Sequence, residues 1–322
     1  MAQKIITVIL FLAVIGGLSW YININYLDKQ TSKEISVSES KTLKTAEIAE
    51  ILTYTNKGSA FEIWQTDGDA RKKVFTDFDE NKKIISLSNL VSQSNQVLAI
   101  VAKDKSATSG ELISIDLYNA QIKSIRKEFV LPLKWLVSPD GKTIAYIKFS
   151  NLEENYGYTL YTESLSGENR RNLTNSETEI NSFAWNIQGD AILYSVMSGN
   201  NAELNRIDLV DKEKSQIKIY ENKIIDWISS TNNKIILSTR SFNGKSSKII
   251  EIDTNGQNEK EIAEISGGIA NFVYLKNNNL AYIAAQYKDK VDNNTTGQIY
   301  IVRLDKDLIK PIQKGNQVLG WQ

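Results

Sequence analysis

From residue 47 onward the chain alternates short β-branched and aromatic runs with polar breaks containing Asn and Gly, and nothing in that region reads as a helix. The clearest stretch is residues 131–147, LPLKWLVSPDGKTIAYI. A β-rich run ends there in Ser138-Pro139-Asp140-Gly141, and a second run, residues 143–149, follows at once. Proline fixes φ and glycine accepts φ > 0, so this spacing predicts a tight hairpin. The same frame returns at residues 180–197, with Gly189 in the turn, and at 223–239 and 269–284. A weaker copy spans residues 84–101. The last copy, residues 316–322 (NQVLGWQ), stops where its hairpin turn should begin.

Aligned on an aromatic position, the copies are marked by Asn89, Trp135, Trp185, Trp227, Tyr274 and Trp321. They recur about every 45 residues, with several short strands per unit, as propeller blades do. Each hairpin is followed by a third run, such as residues 159–165 or 203–209, and then by a polar fourth, such as 171–174 or 216–220. Four strands in each of six units predict an all-β chain folded as a six-bladed β-propeller. The final unit has only its first strand, whereas residues 47–55 (EIAEILTYT) are a spare second strand, followed by a third and a fourth. Pairing the C-terminal strand with the N-terminal ones completes a blade and leaves no free circular edge.

Residues 5–22, IITVILFLAVIGGLSWYI, are uninterrupted by charge and reach the short end of the ~17–25 residues that span a bilayer as a helix. Lys4 precedes them, which favours a cytoplasmic N-terminus, and Trp20 and Tyr21 stand where an interfacial aromatic belt belongs. The alternative is a cleaved signal peptide, with Gly17 and Ser19 as the small residues ahead of a cut before Trp20. Either reading exports the rest. The expected organisation is an N-terminal transmembrane helix or signal segment over 1–27, a polar stalk over 28–46 and the propeller over 47–322. The protein would be a single-pass protein of the cytoplasmic membrane, its propeller on the periplasmic or extracellular side.

Composition narrows the chemistry. Basic and acidic residues both number 38, so the formal net charge is zero and nothing electrostatic argues for a nucleic-acid partner. The chain has no cysteine and no histidine. Disulfides, thiolate nucleophiles, Ser-His-Asp triads and histidine-based metal sites are therefore excluded. Carboxylate-pair hydrolysis and oxygen-ligand cation sites remain.

The segment Arg171-Asn172-Leu173-Thr174 followed by Phe183-Ala184-Trp185, together with Trp135 through Tyr146, resembles the TolB-like β-propeller repeat, a relative of the WD-repeat class. In that pattern a fourth-strand LT precedes an aromatic, then SPDG and an IAY-type strand. Asp67-Gly68 and Ser166-Gly167 match its turn before the fourth strand. The resemblance covers residues 47–322, with a membrane segment where TolB has an N-terminal domain, and it implies an interaction scaffold.

In such a fold the connections between second and third strands share one face with the links between blades, and function concentrates on such loops. The longest connections are residues 149–158 and 286–297, which carry Tyr156, Tyr158 and Tyr287 as candidate aromatic anchors. The link at Asp77-Phe78-Asp79-Glu80 places Asp77, Asp79 and Glu80 on the same face, read here as a solvated acidic binding surface. No catalytic residue, metal or cofactor is assigned. The expected activity is non-catalytic binding of an envelope protein, a peptide or a wall polymer. The alternative is a glycan hydrolase or lactonase that uses carboxylates and a divalent cation in the propeller funnel.

Overall fold

The computed structural model describes residues 51–57, 60–66, 71–76, 83–91, 94–103, 107–152, 155–174, 179–231, 233–242, 244, 246–266, 268–275, 279–285, 297–303, 308–315 and 317–321. The expected membrane segment (1–27) and stalk (28–46) lie outside the described residues.

The compact unit Thr42–Gln322 is all-β and consists of sheets of four antiparallel strands. The first joins β1 (Ile51–Lys57), β2 (Ala60–Thr66) and β3 (Arg71–Thr76) to the C-terminal strand β24 (Gln317–Trp321). The second contains β4 (Lys83–Val91), β5 (Gln96–Ala102), β6 (Ser109–Asp116) and β7 (Ile122–Val130). The third contains β8 (Lys134–Val137), β9 (Thr143–Leu152), β10 (Asn155–Ser164) and β11 (Arg171–Asn172). The fourth is β12 (Ile180–Trp185) to β15 (Lys214–Tyr220), through β13 (Ala191–Ser198) and β14 (Asn201–Asp208). The fifth comprises β16 (Lys223–Ser230), β17 (Lys234–Ser241), β18 (Ser246–Asp253) and β19 (Lys260–Ser266). The sixth comprises β20 (Gly268–Leu275), β21 (Asn279–Ala285), β22 (Gly297–Arg303) and β23 (Leu308–Gly315).

The first described strand and the last meet in the first sheet. Strand β24 runs antiparallel to β1, with Ile51 opposite Trp321 and Tyr54 opposite Gln317. The first strands also touch in cyclic order: β12 meets β16, β16 meets β20, β20 meets β24, β24 meets β4 and β4 meets β8. Between β8 and β12 the link is made by side chains, with Lys134 Nζ donating to Ser182 Oγ at 3.1 Å.

The turn chemistry read from the sequence is the observed chemistry. In the third sheet Gly141 adopts φ +73° and donates to the Ser138 carbonyl at 2.9 Å. The buried Ser138 hydroxyl donates to Asp140 at 2.6 Å and accepts from the Thr143 amide at 3.0 Å. That donated bond is the main cause holding the Asp140 carboxyl below its ordinary pKa. In the fourth sheet Asn186 takes the place of Ser138, its Oδ1 accepting from the Ala191 amide at 2.9 Å, and Gly189 adopts φ +76°. A methyl at Gly141 would stand 2.7 Å from Val91 Cγ1, whereas one at Gly189 meets nothing closer than Pro139 Cδ at 3.3 Å. Gly141→Ala is therefore expected to cost about 1–3 kcal/mol in urea denaturation, and Gly189→Ala less, since both pay the left-handed penalty but only the first also clashes.

The core consists of apolar layers between neighbouring sheets. One holds Leu98, Ile100, Leu112, Phe129, Trp135 and Ile144, and the next holds Ile147, Leu160, Leu173, Phe183 and Ile192. Leu173 and Thr174 explain why the short β11 suffices. Leu173 plugs the core while its amide donates to the Leu160 carbonyl at 2.9 Å, and the buried Thr174 hydroxyl accepts from the Leu160 amide at 3.0 Å.

One sequence expectation is corrected. The aromatic landmarks do not share one position, because they stand at different distances from their hairpin turns; the first strands are also bulged near their starts. Register shifts fall between Ile84 and Ser86, Ile180 and Ser182, Ile225 and Trp227, and Ile269 and Asn271. Strand β24 shifts likewise between Val318 and Gly320. Counted from the hairpin turns, Trp135 is equivalent to Phe183 and Ile228, whereas Trp185 stands two residues further on and Trp227 one residue earlier. A one-residue offset moves a strand side chain to the other face. Accordingly, Trp135 Nε1 reaches back to Ser86 Oγ at 2.9 Å and Trp185 Nε1 to the Leu136 carbonyl at 3.4 Å, each bridging to the preceding sheet, while Trp227 is differently engaged. Asn89 forms its own bridge, exchanging two bonds with the Val137 backbone at 3.0 and 3.3 Å.

Candidate functional site

Just beyond the bulge of each first strand lies one register position. It holds Ser86 in β4, Ser182 in β12, Trp227 in β16, Asn271 in β20 and Gly320 in β24. Counting back from the equivalent turn residues Ser138 and Asn186 adds Lys134, the first residue of β8, to this layer. Lys134 alone in it is titratable.

The Lys134 side chain, from the third sheet, meets groups from two others. Its Nζ donates to Ser182 Oγ of the fourth sheet at 3.1 Å and lies 3.7 Å from the centroid of the Trp227 ring, which belongs to the fifth. An ammonium at this distance over an indole face is a cation–π contact worth about 1–2 kcal/mol when partly desolvated. The bulged residue beside Trp227 is Asp226, whose two oxygens lie 2.8 and 3.1 Å from Arg240 Nε on β17. Both partners of that ion pair are only about one-fifth exposed.

Burial governs the electrostatics here. It lowers the Lys134 amine from 10.5 to about 7, against the attraction of Asp226. Burial also raises the Asp226 carboxyl, against the Arg240 guanidinium and, less strongly, Lys134. Behind this layer, Ser238, the register partner of Trp227, and its neighbour Thr239 have buried hydroxyls without a hydrogen-bond partner among the described residues. The arrangement offers a half-neutralised amine and a polar wall next to an aromatic face.

No family model and no curated protein matches the sequence. Among solved structures, the chain is similar to TolB from Acinetobacter baumannii at 16% identity, with 85% of this chain and 66% of that chain covered and a TM-score of 0.59. It is also similar to a chain of the nidogen/laminin complex, at 10% identity over 84% of this chain and 96% of that one, TM-score 0.58. The fold is a β-propeller. The tricorn protease gives a TM-score of 0.53 at 11% identity, over 87% of this chain and 36% of that one. At these identities the likeness is one of fold.

In a propeller, first strands line the axis, so the Lys134 layer lies close to it, near the face where the sheet-to-sheet links enter. The sequence-predicted residues are placed as follows. Residues 149–158, read from the sequence as a loop, are for the most part an extended hairpin. Strands β9 and β10 pair as far as Leu152 opposite Asn155, and Phe149 opposes Tyr158. Their rings meet edge to face at 5.5 Å, and such cross-strand aromatic pairs prolong a ladder that the polar letters of the segment disguise. Tyr158 is half-buried and packs on the layer between the third and fourth sheets. Tyr156 stands opposite Asn151 in the same hairpin. Tyr287, Asp77, Asp79 and Glu80 lie outside the described residues.

Sequence reasoning missed Lys134, Asp226 and Arg240. Alignment on the hairpin turns instead of the tryptophans would have set Lys134 in line with Ser182, a charged side chain where its equivalent is small.

Proposed function

We propose that this chain is a six-bladed, TolB-like propeller, closed by its terminal strands and tethered to the cytoplasmic membrane by residues 5–22. It acts on the extracytoplasmic side as a non-catalytic scaffold that binds an envelope protein or peptide. The observation that carries this reading is the convergence of Lys134, Ser182 and Trp227 from three sheets at the axial end near the links. The β9–β10 hairpin projects from that same end of its sheet and adds an aromatic pair, Phe149 and Tyr158. Aromatic and basic side chains beside one another on a rigid frame suit protein recognition. Tyr156, Tyr287 and the acidic trio Asp77, Asp79 and Glu80 would extend the surface.

A photoreactive phenylalanine analogue at position 156 or 158, with a control at the exposed Tyr118 on the opposite turn face, tests the reading in intact cells. The expected result is a discrete crosslinked partner from 156 and 158 in the membrane fraction and none from 118. Adducts from 118 alone, or a chain recovered away from membranes, would overturn it.

A further inference from the structure

We propose that Lys134, Ser182 and Trp227 form an acceptor site for one carboxylate group, brought to the axis of the propeller by a ligand entering from the link face. The site deepens the binding reading above, on which only the source of the carboxylate depends.

Four observations point to it. The ammonium has three N–H bonds, of which one goes to Ser182 and another faces the Trp227 ring. Lys134 forms no ion pair among the described residues. Asp226 attracts the amine but forms no ion pair with it, both its oxygens being bonded to Arg240 Nε. Finally, the layer brings no other charge: Ser86, Ser182, Trp227, Asn271 and Gly320 are all uncharged, and Asp226 is the charged group that acts on the amine. A partly buried cation with an unspent donor and no carboxylate in direct contact is stabilised by an incoming anion.

A positional comparison argues that the lysine is not there for stability. A buried charge without a partner is destabilising, and an apolar side chain of similar volume removes that cost. Serine fills the equivalent places in β4 and β12, so the strand itself does not require a long cation. The amine is held near pH 7 in its titration, whereas an unfolded lysine keeps its proton to about 10.5. The unfolded chain therefore binds more protons between those values, and this group makes stability rise with pH across that window. A bound carboxylate reverses the balance by favouring the protonated amine.

The test uses the purified full chain in detergent, with N-acetylglycine as the probe, its amide as an uncharged control and glucuronate as a sugar-acid carboxylate. Binding is read from the rise in melting temperature and from quenching of tryptophan fluorescence. At pH 6 at least one carboxylate is expected to bind and the amide is not, and the affinity should fall about tenfold or more by pH 8.5. A preference for glucuronate would assign a sugar acid, and a preference for N-acetylglycine a peptide terminus. Lys134→Met should lose the response while melting at or above the parent temperature. Lys134→Arg should keep the response and lose its pH dependence. An equal response in Lys134→Met, or no response by the parent to either carboxylate, would overturn the site. So would a Lys134→Met chain that melts well below its parent, because the lysine would then be a structural latch. None of these outcomes bears on membrane tethering or on crosslinking from the hairpin, so the two proposals fail separately.

Discussion

Removing residues 317–321 is expected to abolish cooperative folding of the propeller, instead of trimming one edge from it. Strand β24 pairs with β1 and touches the first strands on both sides, β20 and β4. Without it the first sheet keeps three strands, the inner edge of β1 is left with unpaired amides and carbonyls, and both neighbours lose lateral packing. Domain stabilities are about 5–15 kcal/mol, and the loss of a whole internal strand is of that order. Circular dichroism melting of the truncated chain should show a broad, low-temperature transition or none. Because the first strands touch in a cycle, the damage should reach distant sheets, and protection against hydrogen exchange in β12–β15 should fall with the rest.

The second large effect is expected at the junction of the second and third sheets. Glu163 on β10 is 4% exposed and accepts from Arg126 Nη1 on β7 at 2.7 Å. The Tyr146 hydroxyl donates to its other oxygen at 3.3 Å, and burial, with the neighbouring Glu163 charge, pushes that phenol up to about 12, so it stays a donor. The Arg126 guanidinium also lies 5.1 Å from the Phe129 ring centroid, and Gly167, at φ +91°, makes room for it: a Cβ there would stand 2.7 Å from Nη1. The two partners are unequal. Arg126 is one-quarter exposed and can recover water when its partner is lost, but Glu163 cannot. Arg126→Met is therefore expected to cost about 3–5 kcal/mol and Glu163→Gln about 1–3 kcal/mol. The double variant Arg126→Met with Glu163→Leu should cost less than Arg126→Met alone, because no buried charge is left unpaired. Urea denaturation of the three variants measures this, and equal costs for the two single changes would contradict the asymmetry.

Legibility in the sequence followed the locality of the signal. The hairpins were readable because Ser138-Pro139-Asp140-Gly141 determines a turn within four residues, and the third strands because their apolar letters alternate. The pairing of the chain ends was readable from counting strands, an argument that needs no side-chain geometry. Bulges were not readable: a single inserted residue leaves the letters of β12 or β16 looking regular, yet it marks where the layer of Ser182 and Trp227 begins. The β9–β10 extension was obscured because Asn151, Glu153, Glu154 and Asn155 look like a loop, while the Phe149–Tyr158 pair that sustains the ladder is visible only once the register is known. The axial group was hidden for a third reason. Lys134 looks like a surface lysine at the start of a strand, and its neighbours Ser182 and Trp227 come from other sheets.

The account depends on the first and last strands of the propeller lying side by side, and the absence of native cysteine makes that directly measurable. Cysteines introduced together at Thr53 and Val318, which are register partners in β1 and β24, should be joined by a short thiol-reactive crosslinker within the monomer, in high yield and without loss of the native melting transition. A control pair at Thr53 and the exposed Val210, in the turn between β14 and β15 of the fourth sheet, should remain unjoined. Failure of the first pair to crosslink in folded protein, or equal crosslinking of both, would contradict the closure and with it the axial layer built upon it.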